Sequence, residues 1–323
     1  MQGYHGGMTI QGEQMKGACK RMDTGVLTGL ICYVLWGLFP LYWRLLDGVN
    51  QYEIVAQRVI WCFVFTALIC AVVRVDFWKL LKQPRARRFL IPASILITLN
   101  WGLYIVAVAT GHVIETSIGY YLNPLVSIVL GMVCFQERLT PLQWVAVALC
   151  ATGIILFTIG YGSFPAIAIC LAVSFGTYGA VKKRGGYPAL EAIAVESAVM
   201  TPVAIVFAVV LAITTGGHAF MGSLESAEGW KTTALLVGGG AVTAIPLILF
   251  AKAANSIPLT LLGFLQYISP TLALIVGVFV FGEPFTTSHA VCFGLIWCGC
   301  TLVIVDSLLP ARRFRAEEPR ESR

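Results

Sequence analysis

The sequence predicts an all-α integral membrane protein whose ten transmembrane helices form two inverted five-helix repeats. Three observations support this fold class. Of the 323 residues, 58% are hydrophobic and only 12% are charged, whereas soluble domains carry about 25% charged residues. The hydrophobic residues fall in ten runs, each long enough to cross the roughly 30 Å core of a bilayer. A fixed spacing also relates the last three runs of the chain to three runs in its first half.

The ten runs follow one another with short connections, and 74–88 and 214–231 are the longest of these. Segments such as 144–158 are apolar on every face, unlike the alternating segments of about ten residues in a membrane β-barrel. The predicted helices are Thr24–Leu46, Ile54–Val73, Phe89–Thr110, Thr116–Phe135, Pro141–Ile159, Phe164–Val181, Ala192–Ile213, Thr233–Ala253, Leu259–Phe281 and Ser288–Val305. The first is too long for a signal peptide.

The basic residues give these helices a direction. Eighteen of the 22 Lys and Arg residues lie on one side of the membrane or in the two tails. Because cytoplasmic loops carry the excess of Lys and Arg, both termini are predicted to be cytoplasmic. Residues 1–21 and 307–323 are the predicted tails, and the first of them is expected to be disordered. The net charge of +6 reflects this asymmetry, so no nucleic-acid partner is expected.

An internal repeat appears when the sequence is shifted by 146 residues, which aligns helices three to five with helices eight to ten without a gap. The shift pairs Tyr121 with Tyr267, Pro124 with Pro270, Gly131 with Gly277, Glu137 with Glu283 and Gly153 with Gly299. The predicted halves are 22–160 and 161–306. Each half has five helices, an odd number, so the two copies should run in opposite directions. Such repeats build secondary transporters, with the substrate site near the midplane.

Uncharged polar residues in these helices predict where that site lies. Asn100 and Tyr104 share a face of helix three, and the repeat aligns Tyr120 and Asn123 in helix four with Gln266 and Ser269 in helix nine. Aromatic side chains around a few polar groups suit a small organic ligand. The alternative is that these residues bridge helices or form interfacial belts. The predicted substrate-binding residues are Trp36, Arg58, Asn100, Trp101, Tyr104, Tyr120, Tyr121, Asn123, Gln266, Tyr267 and Ser269.

Ionisable residues inside a membrane are functional candidates. Arg58 in helix two either binds substrate or forms a structural pair with Glu53 or Glu115, which should lie at the same depth. Glu196 and Lys252 are predicted to form an ion pair near the cytoplasmic side, where it would act as a gate. The turn residues Glu137 and Glu283 are predicted to cap the starts of helices five and ten, since negative charge favours a helix N-terminus.

Other function classes lack their motifs. Nearly all of the ten cysteines lie inside apolar runs, where Cys behaves as a small hydrophobic residue, and their spacing fits no zinc site. No cofactor or metal is expected, and no catalytic cluster of an intramembrane enzyme is recognisable. A passive channel or facilitator is the main alternative to a carrier. The expected partners are a small organic substrate, the lipid bilayer and, if transport is coupled to protons, a proton carried by Glu53, Glu191 or Glu196. The protein is expected to be a monomer or a homodimer.

Several segments resemble the RarD group, which belongs to the EamA branch of the drug/metabolite transporters. The resemblance covers about residues 22–305. It is carried by Leu35–Pro40 (LWGLFP), Gln57–Arg58 with Trp61, Asn100–Tyr104 (NWGLY), Gly119–Leu125 (GYYLNPL), Glu137–Leu139, Gln143–Trp144, Ser174–Gly179, Thr243–Leu247 (TAIPL), Gln266–Pro270 (QYISP) and Gly282–Glu283. It implies an exporter in the bacterial inner membrane, of a group often labelled chloramphenicol permeases. Gln57 stands where the group is expected to have a His, and Gln does not titrate.

Overall fold

The computed structural model describes residues 22–110, 112–162, 164–215, 219–222, 226–282 and 284–317. Within these segments, ten helices are long and apolar enough to cross a membrane, which confirms the predicted all-α fold class. They are α1 (Met22–Arg44), α2 (Gln51–Val72), α3 (Pro84–Ala109), α4 (Val113–Phe135), α5 (Pro141–Tyr161), α6 (Ala166–Gly185), α7 (Ala189–Thr215), α8 (Ala227–Ala254), α9 (Leu259–Phe281) and α10 (Thr287–Glu317). A short helix, Trp78–Lys82, lies between α2 and α3.

Several helices are longer than predicted because they continue beyond their apolar run. Helix α3 begins at Pro84 instead of Phe89, and α8 begins at Ala227 instead of Thr233. Helix α10 continues to Glu317, although the apolar run ends at Val305. A hydrophobic run marks the part of a helix that lies in the hydrocarbon core of the bilayer. The hydrogen bonds of the helix backbone can continue into polar turns outside that core. The predicted tail 1–21 lies outside the described residues.

Two of the helices are interrupted. The chain of α1 is helical over residues 22–37, turns at Leu38 and continues as Phe39–Arg44, which has proline in its first turn. Helix α9 consists of Leu259–Gln266 and Ile268–Phe281, with the break at Tyr267. Proline lacks an N–H group and ends or bends a helix just before itself, and Pro270 follows the second break closely. By contrast, α4 continues through Pro124.

Helices α5 and α10, which the 146-residue shift aligns, cross closely at two glycines. A Cβ atom added to Gly153 would lie 3.0 Å from the carbonyl oxygen of Cys292, and one added to Gly299 would lie 2.9 Å from that of Ala146. Small residues allow such close approach of helices in membranes. Gly153 lies late in α5 and meets the start of α10, whereas Ala146 lies early in α5 and meets Gly299 further along α10. The two helices therefore run antiparallel. The assignment of the halves 22–160 and 161–306 as inverted repeats stays a prediction.

An aromatic core joins α1, α6 and α8 in the middle of the bundle. The ring of Trp36 lies 5.7 Å from that of Phe175 and 5.6 Å from that of Phe250. The rings of Tyr178 and Phe250 are stacked at 5.8 Å, and Tyr33 is completely buried beside them. These side chains fill the space between the three helices.

Candidate functional site

A cavity of about 520 Å³ lies between α1, α2, α3, α4, α6, α8 and α9. It extends from the connection between α1 and α2, where Asp47 and Gly48 are exposed, to Tyr33 and Phe175 in the aromatic core. The volume falls within the range of about 300–1,000 Å³ that is typical of small-molecule sites. The breaks of α1 and α9 border it, since Phe39, Pro40, Ser269 and Pro270 are among its lining residues.

Nine of the eleven residues predicted to bind substrate line this cavity, namely Trp36, Arg58, Asn100, Trp101, Tyr104, Tyr120, Asn123, Gln266 and Ser269. Tyr121 and Tyr267 do not. They are only 6% and 1% exposed, in the cluster where α4 and α9 pack against α5 and α10. One residue along an α-helix turns the side chain by about 100°, so the neighbours of Tyr120 and Gln266 lie on another face. The lining prediction is therefore wrong for these two tyrosines.

The polar pairs that the repeat aligns both line the cavity. Tyr120 and Asn123 of α4 line it together with Gln266 and Ser269 of α9. The hydroxyl of Ser127 donates a hydrogen bond to Oε1 of Gln266 at 3.4 Å, which joins the two helices directly.

The side-chain oxygen of Asn123 is buried and has no hydrogen-bond partner among the described residues. A buried acceptor without a donor costs about 1–3 kcal/mol. Because Asn123 lines the cavity, a donor group on a ligand, or a water molecule, can supply that hydrogen bond.

Asn100 both lines the cavity and bridges two helices, the two roles that the sequence left open. Its side-chain amide donates to the carbonyl oxygen of Leu171 and to the hydroxyl of Ser174, each at 2.9 Å. Asn100 therefore bridges α3 and α6 while it lines the cavity. The rings of Tyr104 and Tyr120 lie 5.8 Å apart on the same wall.

Arg58 lies between two aromatic rings. Its guanidinium carbon is 4.6 Å from the ring centre of Trp43 and 4.8 Å from that of Trp101. Its Nε donates a hydrogen bond to the hydroxyl of Thr243 at 3.1 Å. Sequence reasoning missed Trp43 and Thr243 as partners of Arg58, although Thr243 lies in the TAIPL segment that carries the family resemblance.

Neither predicted carboxylate pairs with Arg58. Both oxygens of Glu53 accept hydrogen bonds from the main-chain N–H of Ala219, and Oε1 also accepts one from Phe220. Glu115 accepts one from the N–H of Ile167 at 3.0 Å. Free N–H groups at helix starts and in loops attract carboxylates, so these two side chains turn away from the cavity. The predicted structural pair is therefore wrong.

Glu137 caps a different helix from the predicted one. Its carboxylate accepts hydrogen bonds from the main-chain N–H groups of Leu259 and Thr260, each at 2.8 Å, at the start of α9. The start of α5 is capped instead by Thr140 and Gln143, which form a capping box. The predicted partner position, Glu283, lies outside the described residues.

Glu196 pairs with Lys182 and not with Lys252. The Nζ of Lys182 lies 2.7 Å from Oε1 of Glu196, and the hydroxyl of Tyr178 donates to Oε2 at 3.1 Å. Both charged side chains are buried. Lys252 is exposed, while its neighbours on either side, Ala251 and Ala253, face the core. The predicted pair is wrong because α8 turns Lys252 away from the bundle.

Comparison with known proteins gives one consistent family. The sequence model of the EamA-like transporter family matches residues 23–159 and again residues 164–305. The chain is 41% identical to the uncharacterized transporter YojE of Bacillus subtilis (strain 168), over 86% of this chain and 92% of the relative. It is 40% identical to protein RarD of Streptomyces exfoliatus, over 91% and 92%. A crystal structure covering 90% of this chain and 99% of its own superposes with a TM-score of 0.68 at 19% identity, which shows a shared fold.

Proposed function

The chain belongs to the EamA-like transporter family, in its RarD group, and from this premise we propose a secondary transporter that moves small organic molecules by alternating access. It is a multi-pass membrane protein, and we place it in the bacterial inner membrane with both termini cytoplasmic. The observation that carries the proposal is the cavity of about 520 Å³, which is closed at one end by the aromatic core and reaches exposed residues at the other.

The direction of the cavity supports this proposal. With both termini in the cytoplasm, the connection between α1 and α2 lies on the outer side, so the cavity faces outward. The buried pair of Lys182 and Glu196 then lies near the cytoplasmic side, at the end of α6 and the start of α7. An inward-facing state requires the packing around this pair to open while the outer mouth closes. Two halves related by an inverted repeat exchange such states readily.

A carrier fits the cavity better than a passive channel does. A channel needs a continuous polar path or a constriction that gates by dewetting. In the described residues, the cavity ends on Tyr33 and Phe175, and stacked aromatic rings fill the space beyond. A substrate in this cavity is therefore occluded from one side until the protein changes conformation.

Counterflow in proteoliposomes tests the function. Chloramphenicol is the first substrate to try, because members of the RarD group are often labelled chloramphenicol permeases. A carrier accumulates labelled chloramphenicol transiently inside vesicles preloaded with the unlabelled compound, since one molecule exchanges for another. A channel, which does not exchange one molecule for another, only lets the label equilibrate. If neither chloramphenicol nor any other cavity-binding compound shows exchange, the carrier function is rejected. Vesicles without protein are the control for passive diffusion.

A further inference from the structure

Among the described residues that line the cavity, one side chain is cationic, and its neighbours hold it in a defined position. We propose that the transported substrate carries a single carboxylate or similar oxyanion that binds the guanidinium of Arg58, with an apolar body against the aromatic wall. This inference rests on the proposed transport function and names the chemical class of its substrate.

The surroundings of Arg58 hold the guanidinium but do not neutralise it. Trp43 and Trp101 contact it at 4.6 and 4.8 Å from their ring centres, and Thr243 accepts the hydrogen bond of Nε. The hydroxyl of Thr243 in turn donates to the carbonyl oxygen of Gly239 at 2.7 Å. This arrangement orients the Arg58 side chain and occupies only one of the five N–H groups of its guanidinium.

The four N–H groups on the two terminal nitrogens of Arg58 make no hydrogen bond to any residue that the structure describes. These nitrogens form a planar fork that matches the two oxygens of a carboxylate. Arg58 lines the cavity, so a bound molecule can reach this fork. The unpaired oxygen of Asn123 in the same cavity offers a separate acceptor for a neutral N–H or O–H group on the same molecule.

The charge of Arg58 also has no ion-pair partner in the part of the chain that the structure describes. The ion pairs found among the described residues join Lys182 with Glu196, Lys183 with Glu137, and Lys231 with Glu228. Asp47 lines the mouth of the cavity but forms no ion pair with Arg58. An unpaired charge in a membrane protein interior is costly. A ligand that brings one negative charge offsets this cost, whereas a dianion would meet one cation alone.

The remaining wall suits an apolar, flat body. Trp36, Tyr104 and Tyr120 line the same cavity as Arg58, and the side chain of Tyr120 is 48% exposed. Aromatic walls with a few fixed polar groups are typical of sites for small organic ligands. An aromatic or branched organic acid therefore fits the cavity better than a small inorganic anion, which would leave most of this wall in contact with water.

Matched pairs of ligands test the inference. Phenylacetate and phenylacetamide share a body and differ in charge, and chloramphenicol is a further probe without an acidic group. Binding to the full chain in lipid nanodiscs is measured by tryptophan fluorescence, since two tryptophans contact Arg58, and by thermal stabilisation. We expect wild-type protein to prefer the acid. In Arg58→Gln the acid should bind about tenfold to hundredfold more weakly, with binding of the amide unchanged. Arg58→Lys keeps the charge but loses the planar fork, so its affinity for the acid should lie between that of wild type and that of Arg58→Gln.

Arg44→Gln is the matched control. Arg44 also stacks on an aromatic ring, with its guanidinium carbon 4.4 Å from the centre of Phe281, but it does not line the cavity. Its replacement should leave the preference for the acid as in wild type. Gel filtration of each variant checks folding, and the Lys variant provides a charged side chain should the Gln variant not fold.

The outcomes separate this inference from the transport function. Equal binding of acid and amide by wild type, absence of acid binding, or an unchanged preference in Arg58→Gln overturns the inference. If chloramphenicol still shows counterflow in those cases, the transport function stands. Conversely, acid binding that depends on Arg58 without counterflow of labelled phenylacetate or chloramphenicol supports the site and rejects the carrier function.

Discussion

Single residues in this bundle take their roles from their partners. Lys182 and Glu196 are both charged and buried, and together with Tyr178 they satisfy one another. Residue types alone led to Lys252 as the partner of Glu196, because depth in the membrane can be estimated from position in a run but direction around the helix cannot. The same uncertainty explains why Trp43 and Thr243 were not recognised as the partners of Arg58.

Breaking the buried pair should destabilise the protein more than removing it. Lys182→Leu leaves Glu196 as an unpaired buried charge, and Glu196→Leu leaves Lys182, so each should cost about 3–5 kcal/mol. The double variant should recover much of that loss, because no charge remains buried. Thermal unfolding of the purified variants in detergent measures this cycle.

The control for this cycle is Lys252→Ala, which should unfold like wild type because Lys252 is exposed. If the loss of stability in the double variant equals the sum of the losses in the two single variants, Lys182 and Glu196 do not stabilise each other.

Whole elements are positioned by small residues and by caps that come from other helices. Gly153 and Gly299, which the 146-residue shift aligns, set the distance between α5 and α10. The cap on α9 comes from Glu137, which is distant in sequence and follows α4 through a left-handed residue, Gln136. From the sequence, Glu137 is an obvious candidate to cap α5, because it lies just before the start of that helix. Only the folded structure shows that its carboxylate reaches the start of α9 instead.

A methyl group at Gly299 should push α5 and α10 apart. In Gly299→Ala the new carbon would lie 2.9 Å from both the carbonyl oxygen of Ala146 and the sulfur of Cys150, so we expect a loss of about 1–3 kcal/mol from overpacking. The unfolding temperature of the purified protein measures the effect. Gly294→Ala on the same helix is the control, since nothing lies within 4 Å of its added Cβ. Equal stability of the two variants would contradict the close crossing.

At the scale of the whole molecule, the orientation of the bundle decides which way the cavity opens. The asymmetry of Lys and Arg predicts that both termini are cytoplasmic. In that orientation the cavity mouth at Asp47 faces outward. Helices aligned by the repeat, such as α5 and α10, pack antiparallel, which supports two inverted halves and an alternation between two open states.

Cysteine labelling in intact cells tests this orientation. Asp47→Cys, at the cavity mouth, should react with a membrane-impermeant maleimide added outside. Asn255→Cys, exposed between α8 and α9, should react only after the membrane is permeabilised. Wild type provides the background from the native cysteines. The reverse pattern would place the termini outside and make the cavity face the cytoplasm.

The amino-acid sequence was enough to predict the ten spans, the all-α class, the family resemblance and the meeting of polar residues from α4 and α9. A bilayer imposes the spans and the all-α class locally, since each stretch of chain either is apolar enough to cross it or is not. The tertiary structure was needed to show that Tyr120 faces the cavity while Tyr121 packs against α5 and α10. It was also needed to show that Arg58 lies between Trp43 and Trp101 and forms no ion pair with a carboxylate of the described residues. These outcomes depend on the rotation of each helix about its axis, which is set by packing against residues far away in the chain.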